Sequence, residues 1–388
     1  MDSKGLSEAI QCKAWELGFE LVGMVPVAPS ETHRIYKDWL KKGYAGDMAY
    51  LKRHLPLKED PRTLLPQAVS LVALAFNYHT GDHPEIDGSH GKISRYAWGD
   101  DYHELIHERL RLLREYIHGD LRLGEESRGF VDSGPVLERE YAWKAGLGWF
   151  GKHSNLIHWK KGSWLFLAEL LLDIPLELGQ PFIRVDCGSC TRCIEACPTD
   201  AIVADREVDS RRCISYLTIE LKGSIPEELR SGMGSWIFGC DICQEVCPWN
   251  SPGEIPSEDA FQPQSEFTPL DLMELFSMDD QSFRDRFRNT PIWRLRRRGM
   301  LRNAAIVLGN QRHLPATEAL GHGLKDEEPL VRGASAWALG ELASPQAFSF
   351  LSASLDDEQD STVREEIQQS LASHEATSED PPPGVTSP

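Results

Sequence analysis

The sequence has almost no cysteine outside one short region, and it contains no long apolar run. Of its nine cysteines only Cys12 lies outside residues 187–247. Such tight spacing suits metal ligation better than disulfides, which indicates a reducing compartment. No window of about 20 apolar residues is present, and charges are scattered through the first 18 residues, unlike a targeting signal. We therefore expect a cytoplasmic protein without a membrane span.

Positive charge is also scarce. Lysine and arginine number 41 against 60 aspartates and glutamates, for a net charge of −19. This excess disfavours a general affinity for nucleic acid or anionic membrane, because the far field repels phosphate. A local basic patch can still bind a polyanion, since salt screens exposed charges over roughly 8 Å.

A chain of 388 residues is too long to fold around a single hydrophobic core, and its sequence pattern changes along its length. In the first 180 residues, helical periodicity at 6–18 and 102–117 alternates with apolar strand candidates at 21–27, 71–76 and 163–172. This alternation predicts an α/β domain. Cysteine, glycine and proline then dominate, which indicates a small cluster-binding domain over 181–260.

The cysteines form two runs that each end in Cys-Pro. The first has the spacing of bacterial ferredoxins, in which three thiolates hold one 4Fe-4S cluster and the fourth binds the other cluster. By this crossed logic, the first cluster takes Cys187, Cys190, Cys193 and Cys247, and the second takes Cys197, Cys213, Cys240 and Cys243. The alternative is a pair of structural zinc sites, which would not require the Cys-Pro ends. Cys12 lies on the predicted N-terminal helix, and we expect its side chain to fill the hydrophobic core.

The C-terminal part looks helical and repetitive. Residues 302–309 are echoed at 332–340 and more faintly at 364–372, a period of about 31 residues that suggests HEAT-like helical repeats. We therefore predict an α+β multidomain protein: an α/β domain at 1–180, a ferredoxin-like two-cluster domain at 181–260, an all-α HEAT-like domain at 261–375 and a disordered tail at 376–388.

The motifs at 94–103, 131–139 and 145–153, together with the cysteine pattern, resemble the epoxyqueuosine reductases over nearly the whole chain. This resemblance implies cobalamin bound by the first domain and the ferredoxin-like domain. It also implies reduction of epoxyqueuosine to queuosine at the wobble position of tRNA. By the same resemblance Asp132 is the proton donor, and the cobalamin contacts are Lys58, Ser94, Arg95, Asp132, His153, Asn155, Ser215 and Asp241.

Physical chemistry leaves alternatives open for these residues. Asp132 could instead cap a helix that opens at Pro135, since Asp before Gly-Pro is common at helix starts. Arg95, Tyr102 and His103 could simply lie at a half-exposed helix start. The Gly146-x-Gly-x-x-Gly spacing lacks the context of a dinucleotide site, so we expect no nicotinamide and an external low-potential electron donor.

A basic segment lies at the start of the repeats. Residues 284–302 contain eight arginines and one aspartate, with Trp293 among them. Arginine forks bind RNA phosphates and stack on bases, so we predict that the anticodon stem-loop of tRNA contacts this segment. The alternative is a solvated helix face that is paired with acids. The predicted contacts are Arg294, Arg296, Arg297, Arg298 and Arg302.

The sequence thus predicts a cobalamin-dependent tRNA-modifying reductase, acting as a monomer, whose clusters relay single electrons to cobalt while Asp132 supplies a proton. One rival is a corrinoid iron–sulfur reductase of a small molecule, which would share the cluster relay. Another is a non-catalytic iron–sulfur electron carrier or redox-regulated RNA-binding protein, which would bind no corrin and show no turnover.

Overall fold

The computed structural model describes residues 2–179, 186–250, 255–256 and 258–379. They group into two compact units, each built from separated segments: 1–82, 95–213 and 241–263 in unit 1, and 83–94, 214–240 and 264–388 in unit 2. The predicted domain limits stay a prediction, and the limit at 180 lies outside the described residues. The last helix continues to Glu379, so residues 376–379 of the predicted tail are helical.

The helices follow the amphipathic segments of the sequence. They are α1 Ser3–Glu16, α2 His33–Lys41, α3 Ala49–Arg53, α4 Tyr102–Glu115, α5 Glu138–Lys144, α6 Arg192–Glu195, α7 Ile214–Ile219, α8 Glu227–Arg230, α9 Ile242–Glu245, α10 Asp280–Phe287, α11 Arg296–Asn310, α12 Thr317–Gly323, α13 Pro329–Leu342, α14 Pro345–Asp357 and α15 Ser361–Glu379. Side chains cap several starts, as at α4, where Asp101 accepts a hydrogen bond from the backbone N–H of His103. None of the helices within the described ranges has the length and apolar character that a membrane crossing requires.

The strands are β1 Leu21–Pro26, β2 Ser70–Asn77, β3 His90–Ile93, β4 Ser127–Val131, β5 Trp149–Phe150, β6 Leu156–Ile157, β7 Leu165–Leu172, β8 Ile202–Ala204, β9 Glu207–Val208, β10 Trp236–Phe238 and β11 Leu270–Asp271. Unit 1 contains a four-stranded sheet in the order β1-β2-β7-β4, and all its neighbouring strands are antiparallel. The predicted mixture of helices and strands is confirmed. The alternation of helices and strands along the sequence did not predict whether neighbouring strands run parallel or antiparallel, because direction depends on how the connections cross the sheet.

The sheet of unit 1 is covered on both faces. Every residue of β2 is buried, and alternate residues of β7 enter two different apolar clusters. Phe166, Ala168 and Leu170 face the cluster that α1 and α4 cover. Leu167 and Leu171 face the cluster that contains Tyr141 and Ala142 of α5. Because side chains alternate along a strand, Glu169 points to the same face as Leu167 and Leu171.

Unit 2 contains a small sheet and the repeat helices. Its strand order is β10-β3-β11. The predicted repeats are confirmed: the three echoed segments are α11, α13 and α15, and α13 packs against both α11 and α15. Gly309 of α11 lets two helices approach closely, because a Cβ there would lie 2.8 Å from Cζ3 of Trp337 and 3.0 Å from Cα of Ala338.

Candidate active site

The first predicted cluster set comes together in unit 1. The thiols of Cys187, Cys190 and Cys247 interact electrostatically with Cys193. The pKa of Cys193 is raised to about 11, mainly by burial and to a smaller extent by these three neighbouring thiols. Four thiolates in so small a space need a compensating cation, which the irons of a cluster supply. Trp149 and Ile157 form an apolar cluster with Cys247, and Trp249 packs against it.

The second set is supported by the same kind of contact. Burial raises the pKa of Cys243 well above its ordinary value, and the thiols of Cys213 and Cys197 contribute together with Cys193 of the first set. Cys197 Sγ also accepts a hydrogen bond from the Ala201 N–H at 3.2 Å, as expected for sulfurs at an iron–sulfur cluster. Cys240 falls in unit 2 by its contacts, so its place in this set rests on the sequence spacing.

The hairpin β5–β6 carries two predicted cobalamin contacts in its connecting loop. His153 is 4% exposed, and its Nδ1 accepts a hydrogen bond from the Asn155 N–H at 3.2 Å. Burial lowers the pKa of His153 to about 4, and the nearby Arg139 adds to this. The neutral ring must therefore carry its proton on Nε2, and this buried atom has no hydrogen-bond partner among the described residues.

Asp132 lies directly after β4, at a backbone φ of +48°. Aspartate is among the few residue types that adopt this left-handed conformation readily. Its Oδ2 accepts hydrogen bonds from the Tyr102 hydroxyl at 2.8 Å and from His103 Nε2 at 3.2 Å. The alternative of a helix cap is wrong, because α5 begins at Glu138 and its N-cap position is Leu137.

The residues around Asp132 form a hydrogen-bonded chain. His103 Nδ1 bonds to Asp101 Oδ1 at 2.8 Å, so two carboxylates hold the two ring nitrogens. Burial disfavours the charged ring, but the hydrogen bonds to Asp101 and Asp132 outweigh it and raise the pKa of His103 to about 9. Burial, and then the charge of Asp132, raise the pKa of Tyr102 well above its ordinary value. His103 is therefore a cation at neutral pH, and Tyr102 keeps its proton.

Lys58 lies beneath the loop that follows Asp132. It is 9% exposed, and its Nζ donates hydrogen bonds to the carbonyls of Val136 at 2.8 Å and Gly134 at 3.3 Å. Glu138, Glu169 and Asp132 interact electrostatically with this ammonium. Sequence reasoning missed Glu169, although an acid in the middle of the apolar run 165–172 is a signal for a buried ionisable group.

The other predicted cobalamin contacts are engaged within the chain. Arg95 is 4% exposed and donates hydrogen bonds from its backbone N–H and Nη1 to Asp241 Oδ2, at 2.9 and 3.0 Å. Asp241 is fully buried. Ser94, in unit 2, is buried and donates its N–H to the Phe238 carbonyl at 2.8 Å. Ser215 lies on α7 and is half-buried. Their roles toward cobalamin stay predictions.

The arginines of the basic segment differ in exposure. Arg294, Arg296 and Arg298 are exposed, while Arg297 is half-buried and pairs with Asp326. The Arg296 guanidinium lies 3.8 Å from the centre of the Trp293 ring. Arg294 pairs with Glu220 at 2.7 Å, and Arg298 lies 3.8 Å from Glu328. Three cations and one stacked aromatic platform are thus presented to solvent.

Arg302 is not available to RNA. It is 1% exposed, and its guanidinium donates to the carbonyls of Leu217, Leu221 and Gly223 at 2.7–2.8 Å. The neighbouring Asn303 donates to two more carbonyls of unit 2. The prediction that Arg302 contacts tRNA is wrong, because the helical repeat turns this side chain inward. Cys12, in contrast, is exposed, so the expectation of a core position is wrong.

These groups can transfer electrons and protons. Two sets of cysteines suited to iron–sulfur clusters lie in the same chain as a carboxylate that a cationic imidazole and a phenol hold in place. Clusters deliver single electrons, and the carboxylate can deliver a proton. Fold and site therefore define an iron–sulfur oxidoreductase.

Comparison with known proteins identifies the family. A model described as "Epoxyqueuosine reductase QueG, DUF1730" matches residues 58–133. An epoxyqueuosine reductase of Escherichia coli (strain K12) is 41% identical over 352 residues, which cover 88% of this chain and 90% of the relative. One from Vibrio cholerae is 42% identical over 339 residues, covering 82% and 90%. The chain belongs to the epoxyqueuosine reductase family.

Other matches cover the remaining parts of the chain. Residues 186–250 match a model described as a 4Fe-4S double cluster binding domain, and residues 297–372 match HEAT repeats. A solved epoxyqueuosine reductase in complex with an epoxyqueuosine-modified tRNA-Tyr stem loop superposes with a TM-score of 0.87 at 29% identity, covering 96% of this chain and 99% of that one. A structure from Bacillus subtilis, with its catalytic aspartate loop swung out of the active site, superposes with a TM-score of 0.85 at 29% identity, covering 95% and 99%.

The family sets the activity and the cofactors. The protein is an oxidoreductase that reduces epoxyqueuosine to queuosine in tRNA, with two 4Fe-4S clusters and cobalamin. The predicted class, fold and cofactors are confirmed, and the rival of a non-catalytic electron carrier is excluded.

Proposed function

We propose that Asp132 is the proton donor of this reduction, on the observation that its carboxyl lies between the Tyr102 hydroxyl and the His103 ring. Converting an epoxide to an alkene and water takes two electrons and two protons, and the oxygen must be protonated as its bonds to carbon break. Asp132 Oδ2 is held by both neighbours, and its side chain is 43% exposed, so it can reach a substrate. His103, a cation at neutral pH, can return a proton to Asp132.

Bound cobalamin, supplied with electrons through the clusters, provides the reducing equivalents. His153 fits a role in holding it, because a buried N–H without a partner costs about 1–3 kcal/mol, which an acceptor on a bound molecule would remove. Because its Nδ1 accepts a hydrogen bond from the Asn155 N–H, the neutral ring of His153 would present its Nε2 proton to such an acceptor. Asn155 fixes this orientation.

The role of His103 predicts a pH dependence. Its pKa is about 9 in the folded protein, so turnover should fall as the pH rises through about 9. The paired imidazolium also adds stability that is fully present below the ordinary value near 6.5 and is lost as the pH rises to about 9. His103→Gln keeps a hydrogen-bond donor but carries no charge. We expect this variant to have lower turnover at neutral pH and no decline near pH 9.

The pH profile of single-turnover rates measures this effect. The control is His118→Gln, because His118 also bonds through both ring nitrogens, to Leu123 O and Ser127 Oγ, but has no contact with Asp132. An unchanged basic limb in His103→Gln would exclude His103 as the source of protons for Asp132.

We further propose that Arg294, Arg296 and Arg298 bind the anticodon stem-loop of the substrate tRNA. They are exposed, and Arg296 with Trp293 presents a stacked cationic surface suited to an unpaired base. The pairs of Arg294 and Arg298 with glutamates are no obstacle, because exposed ion pairs contribute only about 0–1 kcal/mol and phosphate can replace the carboxylate. Arg297 is paired with the buried Asp326 and is a weaker candidate.

The triple variant Arg294→Ala, Arg296→Ala, Arg298→Ala should bind tRNA more weakly. For each phosphate contact removed, the slope of log affinity against log salt should fall by about 1. Filter binding over a salt series measures both quantities. The matched control is Arg111→Ala, since Arg111 is an exposed arginine of α4 paired with two glutamates. Unchanged affinity and slope in the triple variant would contradict the proposal.

The remaining partners follow from this chemistry. We propose an external low-potential electron donor that reduces the clusters, and a monomer acting in the cytoplasm, where its tRNA substrate is found. Sedimentation of the holoenzyme with and without tRNA tests the monomer, and reduction of the clusters by candidate carriers tests the donor.

A further inference from the structure

The loop at residues 132–137, here called the Asp132 loop, is held from below by an amine. Lys58 Nζ donates to two of its carbonyls, Val136 O at 2.8 Å and Gly134 O at 3.3 Å. Within the loop, the Gly134 N–H bonds to the Val131 carbonyl at 3.2 Å. Lys58 is itself fixed, because its backbone N–H bonds to the His54 carbonyl at 3.0 Å. One buried side chain thus ties the segment after α3 to the loop that carries the proposed proton donor.

Three acids interact electrostatically with the Lys58 ammonium. Glu169 is 2% exposed in the middle of β7, and its Oε1 has no hydrogen-bond partner among the described residues. Glu138 begins α5, and its carboxylate lies 3.8 Å from the Arg139 guanidinium. Glu138, Glu169 and Asp132 all attract the Lys58 ammonium, and Arg139 repels it. The amine is therefore buried beside three acids, while its hydrogen bonds go to the loop.

Charge balance explains why this amine can stay protonated. Burial lowers the pKa of Lys58, and the carboxylates of Glu138, Glu169 and Asp132 oppose that effect. Burial also raises the pKa of Glu138 to about 7 and that of Glu169 well above its ordinary value. Asp132 thus supplies countercharge and Glu138 supplies part of it, whereas burial favours the protonated form of Glu169 and leaves that acid a smaller share.

We propose that Lys58 is a positioning residue that latches the Asp132 loop, holding Gly134 and Val136 so that Asp132 stays against Tyr102 and His103. The inference rests on the proposed role of Asp132. Without the ammonium, the buried carbonyl of Val136 and the half-buried carbonyl of Gly134 lose their donor, and they regain hydrogen bonds if the loop moves toward water. The loop then samples open positions in which Asp132 is displaced from the substrate.

Lys58→Met tests the latch in the holoenzyme, since methionine keeps the length of the side chain and loses its donors. Hydrogen–deuterium exchange of a peptide covering residues 131–137 should become about tenfold faster as the loop opens. The kcat for epoxyqueuosine-tRNA should fall about 10- to 100-fold, the cost of a misplaced reacting group. The KM and the affinity for cobalamin should change less than about twofold, because binding is not altered.

Two further substitutions grade the effect. Lys58→Arg keeps a cation with donors for both carbonyls and should restore slow exchange and most of kcat. Lys58→Gln carries one amide donor group and no charge. Its exchange rate and its kcat should therefore lie between those of the arginine and methionine variants. The matched control is Lys144→Met, because Lys144 is a half-buried lysine of α5 whose ammonium pairs with the buried Glu140 at 2.7 Å. This control loses a buried ion pair without touching the Asp132 loop, so its exchange at 131–137 should match the wild type.

The outcomes separate the latch from the proton-donor role. Unchanged exchange in Lys58→Met, or faster exchange with normal kcat, would overturn the latch. Weaker cobalamin binding with unchanged exchange would assign Lys58 to the cofactor and would also overturn it. If Asp132→Asn kept normal turnover while Lys58→Met still opened the loop and lowered kcat, the latch would stand and the proposed role of Asp132 would fail.

Discussion

Replacing Asp132 by asparagine should lower the turnover of epoxyqueuosine-tRNA by about 10²- to 10⁴-fold, the usual contribution of a positioned general acid. The two side chains have nearly the same shape, and asparagine Oδ1 can still accept a hydrogen bond from the Tyr102 hydroxyl. The amide has no proton to transfer to the leaving oxygen. We expect cluster content and cobalamin affinity to remain at wild-type values, measured by iron analysis and by optical titration.

The control for this prediction is Asp173→Asn. Asp173 follows β7 in the same unit and accepts hydrogen bonds from the N–H groups of Glu125 and Glu126 at 2.8 and 3.1 Å, so it has a structural role only. Its variant should lose some stability and keep its turnover per folded molecule. Turnover above about a tenth of wild type in Asp132→Asn would place the essential proton on another group.

Replacing Cys243 by alanine should abolish turnover. Two 4Fe-4S clusters contain about eight iron atoms per chain, and loss of one ligand from the second set should leave about four. Without that cluster the electron relay is interrupted, although cobalamin and tRNA can still bind. Iron analysis and electron paramagnetic resonance of the reduced protein measure the loss.

Cys12 provides the matched control for the cluster prediction. It is an exposed cysteine of α1, outside the cluster motif. Cys12→Ala should retain all iron and full turnover. If Cys243→Ala kept both cluster signals, the assignment of the second ligand set would be wrong.

The sequence predicted much of the fold and the cluster ligands because these depend on local patterns. The apolar runs at 21–27, 71–76 and 163–172 became β1, β2 and β7, and the repeated segments became the helices α11, α13 and α15. The direction of the strands was not predicted, since it depends on contacts between distant segments. Cysteine spacing, in contrast, is a local constraint that a cluster imposes directly.

The candidate site was predicted less evenly. The motif at 131–139 singled out Asp132, yet nothing in the spacing showed that the hydroxyl and ring at 102 and 103 would reach it across about 30 residues of chain. Arg302 was assigned to RNA because charge runs suggest surfaces, while the helical period that buries it was visible in its apolar neighbours. Predicting a role for Glu169 would have required knowing that its face of β7 packs against an apolar cluster. Burial and long-range pairing decided these cases.

The strand order of the small sheet affects how the protein is made. Its middle strand, β3, lies at residues 90–93, whereas its partners β10 and β11 lie at 236–238 and 270–271. During synthesis on the ribosome, β3 therefore emerges well before either neighbour, and both its edges wait for partners. An exposed strand edge invites pairing with other chains. Nascent chains that stall before residue 270 should therefore be especially dependent on chaperones, and expression of fragments that end there should yield aggregates.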